Sequence, residues 1–146
     1  MTGEPSSVRS VRFPAAYGTP GGADSLLPWS YVEQRLRAAL NYWITTVGPN
    51  ARPHARPVDG VWVGGALCFG GSPETRWGRN LMANPSISVH LSGEAEAIIL
   101  EGTAEYVTDA SDPLVALFTA ASKEKYPQWT LEGFPRGATR WRFDNT

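Results

Sequence analysis

The chain has 146 residues, 42% hydrophobic and 18% charged, the size and mix of one ordinary globular domain. Thirteen basic against fourteen acidic residues leave a formal charge of −1, which excludes a bulk basic field aimed at nucleic acid or anionic lipid. The single cysteine, Cys68, excludes an internal disulfide and a cysteine-rich zinc site.

The opening residues, Met1-Thr2-Gly3-Glu4-Pro5, lack the basic and apolar regions of a signal peptide, so a cytoplasmic protein is expected. The longest mostly apolar stretch, 61–71, is too short to span a bilayer and is broken by Gly64-Gly65. Eleven of the basic residues are Arg and two are Lys, Lys123 and Lys125. Arginine forks suit phosphate and carboxylate, so an anionic ligand is one reading; a GC-rich coding bias is the other.

Residues 1–27, with Gly18, Pro20, Gly21 and Gly22, read as an extended arm preceding one domain, 28–146. Pro28 or Ser30 opens a helix, with Ser30-Tyr31-Val32-Glu33 at capping-box spacing and Val32, Leu36, Ala39 and Leu40 on one face. Residues 42–47 are aromatic and β-branched and turn at Gly48-Pro49-Asn50. The run 53–63 alternates, with His54, Arg56 and Val58 on one face. Its prolines, 53 and 57, place part of it at an edge or bulge because they cannot donate to a ladder. Gly64-Gly65 signals a tight hairpin, and 66–69 returns.

Ser72-Pro73-Glu74 reads as a helix start, and Asn84-Pro85 ends that helix with Asn able to turn left-handed. Residues 87–92 alternate, Gly93-Glu94 turns, and 96–107 form a long strand. Asp112-Pro113 starts a helix carrying Leu114, Leu117, Phe118 and Ala121, ending before Pro127; 139–143 form a last strand. Successive hairpin-linked strands with interposed helices argue for an antiparallel barrel, and one this small, with six tryptophans, is expected to dimerise.

The best candidate site is the stretch 70–80. Gly70 and Gly71 admit a ligand to the backbone, the helix start at Ser72 offers free N–H groups, and Arg76 and Arg79 lie one turn apart, with Arg56 on a neighbouring strand. The alternative is a capped surface helix with solvated arginines. His54 and His90 lack metal-site spacing, so strand-filling roles are expected and no metal is assigned. Cys68, between Leu67 and Phe69, reads as a buried inert thiol, and Glu101 and Glu105 as ordinary same-face strand carboxylates. Neither a nucleophile elbow nor a P-loop occurs.

The order strand, Gly-Gly, strand, then Ser72-x-x-Thr75-Arg76-x-x-Arg79-Asn80-Leu81-x-x-Asn84-Pro85 and Glu101-Gly102-Thr103-Ala104-Glu105, resembles the pyridoxamine 5′-phosphate oxidase-like flavin-binding split barrels. The likeness runs from about residue 29 to 107 and resumes at 138–143. It implies a mainly β fold, a six-stranded split barrel with peripheral helices. It also implies a homodimer with FMN or the deazaflavin F420 in the subunit interface and a small-molecule substrate. By the same resemblance His54, Arg56, Pro57 and Val58 run beside the cofactor ring. Gly71, Ser72, Thr75, Arg76 and Trp77 form the phosphate region, Arg79 and Asn80 match the coenzyme-binding relatives, and Arg140 and Trp141 reach a site near the partner subunit.

Three departures are visible. Trp77 stands where a phosphate-binding lysine is common, Arg140-Trp141-Arg142 stands where the true oxidases have Arg-x-His, and Lys125-Tyr126-Pro127 passes almost directly to Gln128-Trp129. The expectation is an oxidoreductase using FMN or F420 that does not oxidise pyridoxamine phosphate. The alternative is a non-catalytic flavin-, F420- or haem-binding split barrel.

Overall fold

A computed structural model of the protein describes residues 14–17, 26–93, 95–127 and 140–144. Within them the alternating segments become seven strands: β1 (Tyr42–Val47), β2 (Pro53–Val58), β3 (Gly60–Val63), β4 (Ala66–Gly70), β5 (Ser86–His90), β6 (Ile99–Val107) and β7 (Arg140–Asp144). The helical periods become α1 (Trp29–Ala38), α2 (Arg76–Ala83) and α3 (Pro113–Lys125). Most of the expected arm, the whole 128–139 connection and Glu94 of the expected Gly93-Glu94 turn lie outside the described residues. Inside the arm, Ala15–Tyr17 form one 3-10 turn.

All strand pairs are antiparallel, in the order β2-β1-β5-β6-β7-β4-β3. β2 and β3 therefore sit at opposite edges although only Asp59 separates them in the chain. One residue can join two edges only if the sheet curls round to bring them together, so the topology itself makes the half-barrel. The expected single strand over 53–63 is in fact two strands broken at Asp59, and the barrel has seven strands where six were expected. Pro53 and Pro57 lie on β2, an edge strand, where the missing N–H groups are tolerated.

The inner face is apolar. Tyr42 and Ile44, Val89, Leu100, Phe143, Phe69 and Leu67 are buried from successive strands, with Leu36 of α1 and Trp77 and Leu81 of α2 against them. A second small cluster, Val61, Cys68 and Tyr126, lies under Leu114 and Phe118 of α3. Burial pushes the Cys68 thiol up to about 12, so it is inert at neutral pH, as its sequence context implied.

Helix boundaries shift in informative ways. α1 is entered from Pro28 without a side-chain cap, so Ser30 makes no capping box, and Leu40 lies past the helix end, 77% exposed. α3 starts as read: Asp112 accepts a hydrogen bond from the Leu114 N–H at 2.9 Å, and Pro113 follows. Asn84 is extended, not left-handed, because the following proline disfavours compact conformations before it. The Gly64-Gly65 hairpin forms with positive φ at both positions, 61° and 73°. Among the described residues no helix is long and apolar enough to cross a membrane.

Candidate functional site

The site is assembled where α2 meets the β1–β2 edge. Residues paired across antiparallel strands share a face, and Thr46 pairs with His54, Ile44 with Arg56 and Tyr42 with Val58. His54, Arg56 and Val58 thus project from the inner face of β2, as the alternation required. His54 and Val58 are buried; Arg56 is exposed because the sheet ends there. Pro57 and Ala55 point to the outer face with Trp43 and Thr45.

α2 begins three residues later than the Ser72-Pro73 signal suggests. Ser72 instead opens a turn: its hydroxyl accepts from the Glu74 N–H at 3.1 Å, and its carbonyl accepts from the Thr75 N–H at 3.1 Å. Thr75 is the N-cap, its Oγ1 accepting from the Gly78 N–H at 3.0 Å and donating to the Ser72 carbonyl at 2.8 Å. Arg76 and Trp77 are then the first two helical residues, the positions whose N–H groups an α-helix leaves without an internal acceptor. A Cβ on Gly78 would lie 2.5 Å from the Ser72 carbonyl oxygen, so only glycine lets the helix settle onto this turn.

Charge converges here from two elements. Burial first, then the guanidinium groups of Arg56 and Arg76, hold the His54 imidazole below its ordinary pKa, which favours its uncharged form. Both arginines are exposed. Arg79, also exposed, donates to the Glu74 carbonyl at 2.6 Å and so braces the turn as well as adding charge. Asn80 is buried and donates to Thr46 Oγ1 at 3.0 Å, fastening α2 to β1 beside His54. Removing the Arg76 charge by Arg76→Ala should raise the His54 pKa towards its ordinary value, read from the imidazole proton shifts across a pH titration. An unmoved pKa would mean that Arg76 does not face His54.

Trp77 points the other way. Its indole is buried against Phe69 (centroids 5.7 Å apart) and edge-on to Trp141 (5.8 Å), while Trp141 stacks near-parallel on Phe69 and against Tyr106. Trp141 donates from its ring nitrogen to the Gly71 carbonyl at 3.3 Å. Gly71 has φ of +151°, and a Cβ there would lie 2.3 Å from the Trp77 ring. Of the residues the resemblance singled out, Trp77, Trp141 and Gly71 thus form one aromatic unit beneath the site. Arg140 is the first residue of β7, in register with Gly70 and Val107.

His90 stacks on Trp43 with centroids 6.0 Å apart, on the outer face. Glu105 pairs across the strands with Arg142, which also lies 3.7 Å from Asp112. Among the described residues no group of three or more His, Cys, Asp or Glu is placed to hold a metal. The sequence reading missed Thr46, the buried partner of Asn80. The signal was present, since strict alternation from Tyr42 puts a polar residue third on the inward face, where it needs a partner.

A curled antiparallel sheet with its two edges joined through one residue, and a helix packed on its β1–β2 edge, defines a split β-barrel. Residues 31–143 match the family model for pyridoxamine 5′-phosphate oxidase, and the chain belongs to that family. Solved structures agree on the fold. The conserved hypothetical protein Rv2991 from Mycobacterium tuberculosis aligns with a TM-score of 0.70 at 18% identity, covering 85% of this chain and 84% of that one. The haem storage protein HutZ from Vibrio cholerae aligns at 0.64 and 18%, covering 81% and 87%. An F420 reductase aligns at 0.60 and 21%, covering 78% and 92%. No curated protein matches the chain significantly in sequence.

Proposed function

We propose that the protein binds FMN or the deazaflavin F420 and uses it to move hydride to or from a small organic substrate in the cytoplasm. The observation that carries this reading is the placement of Arg56 on the inner face of edge strand β2, beside buried His54, with Arg76 at the start of α2, the helix that Asn80 fastens to β1 next to His54. Two exposed guanidinium groups next to first-turn amides suit the phosphate common to both cofactors. Arg56, Arg76, Arg79 and the turn at Gly71-Ser72-Thr75 would hold it, with Pro57 and Val58 on the strand beside the ring. Trp77, turned inward, adds no charge, so the grip is made by arginine in place of lysine. The cofactor supplies the hydride chemistry when bound; the chain's part is to orient the ring and exclude water. Arg142 is engaged by Glu105 and Asp112, which supports a substrate other than pyridoxamine phosphate.

The same proposal includes a homodimer. The outer face of β2-β1-β5-β6 presents Pro57, Ala55, Trp43 and Ile99, the last 60% exposed, a surface suited to a second copy. A second reading, non-catalytic haem binding, draws on the likeness to a haem storage protein and on the neutral imidazole of His54, a suitable ligand.

Titration of the purified protein with FMN, F420 and haem in parallel separates the readings. Saturable binding of FMN or F420 at about one site per chain, and little of haem, is expected. A Soret band that survives gel filtration and disappears in His54→Ala, with neither flavin bound, would overturn it in favour of haem.

A further inference from the structure

The end of α3 is fastened to the barrel seam by groups that the proposed cofactor site does not use. Lys125 Nζ donates to the Gly60 carbonyl at 2.8 Å and to Tyr42 Oη at 3.0 Å. It lies over the Tyr42 and Tyr126 rings, 4.8 and 5.4 Å from their centroids. Tyr126 Oη accepts from the Gly60 N–H at 3.2 Å and is within donating distance of the Gly60 carbonyl, 3.0 Å, and the Leu40 carbonyl, 2.8 Å. Tyr42 in turn donates to the Leu36 carbonyl at 2.6 Å. Both polar atoms of one peptide residue, Gly60, are therefore held by two consecutive side chains of α3's end.

Gly60 is where this matters mechanically. It begins β3, and Asp59 alone separates it from β2, the edge strand that carries His54, Arg56 and Val58. β2 pairs on one side with β1. α2 lies against β2, whose end is tied to the seam. A Cβ at Gly60 would lie 2.8 Å from the Cys68 carbonyl oxygen, so this backbone is already tightly seated against β4. Burial lowers Lys125 to about 8, so keeping an ammonium there is unfavourable unless its hydrogen bonds serve the fold.

We propose that Lys125 and Tyr126 are positioning residues that clamp Gly60, and thereby fix where β2 leaves the seam and how Arg56 and His54 face Arg76. The structural part stands alone; the ligand part rests on the flavin or deazaflavin reading. Lys125→Met and Tyr126→Phe remove the clamp with little change in volume, and Lys125→Arg keeps the charge and donors.

Amide hydrogen exchange of the full chain without added cofactor is the first readout. Exchange at Gly60 and at His54, Arg56 and Val58 should rise about tenfold in Lys125→Met and Tyr126→Phe, with Val89 and Leu100 near wild-type rates and Lys125→Arg restored. Faster exchange spread evenly over all strands would reduce the clamp to general stabilisation, and unchanged exchange at 54–60 would overturn it. The second readout is affinity for whichever of FMN and F420 the wild type binds, expected to fall in the same order as exchange rises. A loosened β2 with unaltered affinity would overturn the positioning role. If the wild type binds neither cofactor, the proposed function fails, while exchange still decides the clamp.

Discussion

Replacing Arg56 and Arg76 together by alanine should weaken FMN or F420 binding by about 2–5 kcal/mol, since a hydrogen bond to a charged group contributes ~1.5–3 kcal/mol and two neighbouring ones do not add fully. Folding stability should change by less than about 0.5 kcal/mol, because both side chains are exposed and neither fills the core. The pairing of large binding loss with intact stability is the signature of a ligand grip. Arg79→Ala should cost binding less than Arg76→Ala, because the Arg79 guanidinium already donates to the Glu74 carbonyl. Arg76→Lys should recover only part of the affinity, as a point charge lacks the planar fork. Fluorescence titration of the cofactor against the variants, at fixed low salt, measures all three. A double variant that titrates like wild type would remove these arginines from the site.

Much of this arrangement was legible before the fold was known. Alternation put His54, Arg56 and Val58 on one face, and prolines 53 and 57 marked an edge, because both signals depend on local geometry that tertiary structure rarely overrides. The hairpin at Gly64-Gly65 and the start of α3 at Asp112-Pro113 are read from backbone chemistry in the same way. What stayed hidden was long-range. Asp59-Gly60 is a breaker pair that marks where the run 53–63 divides, but nothing local says that its two halves join opposite edges of one sheet; closure of the barrel decides that. The start of α2 was misplaced by three residues because Ser72-Pro73 also satisfies the rules for a turn, and the turn wins when Thr75 caps the helix and Gly78 allows the two to pack. Tyr42, Lys125 and Tyr126 meet across more than 80 residues of sequence, beyond any periodicity.

The same limit explains Trp77, and gives the largest expected effect on stability. Read as a substitution at a phosphate-binding position, it is a lost charge. In three dimensions it is a gained packing unit: the indole is 8% exposed, wedged between Phe69 and Trp141, with Gly71 kept free of a side chain to admit it. Trp77→Lys, which places there the lysine that the sequence resemblance leads one to expect, should therefore destabilise the fold by about 3–5 kcal/mol, the usual cost of emptying a buried aromatic site. The lysine stem can run out towards solvent, but its four carbons leave most of the indole volume vacant. Trp141→Ala should cost a similar amount, since that ring is 1% exposed and touches Phe69, Trp77 and Tyr106 together. Against a total stability of about 5–15 kcal/mol, either change leaves a marginal protein. The double variant should lose less than the sum, because each single change already strips contacts from the other ring. Urea midpoints at unchanged slope report these losses. A Trp77→Lys protein with a wild-type midpoint would show that the indole is no part of the core, and would return position 77 to the phosphate grip.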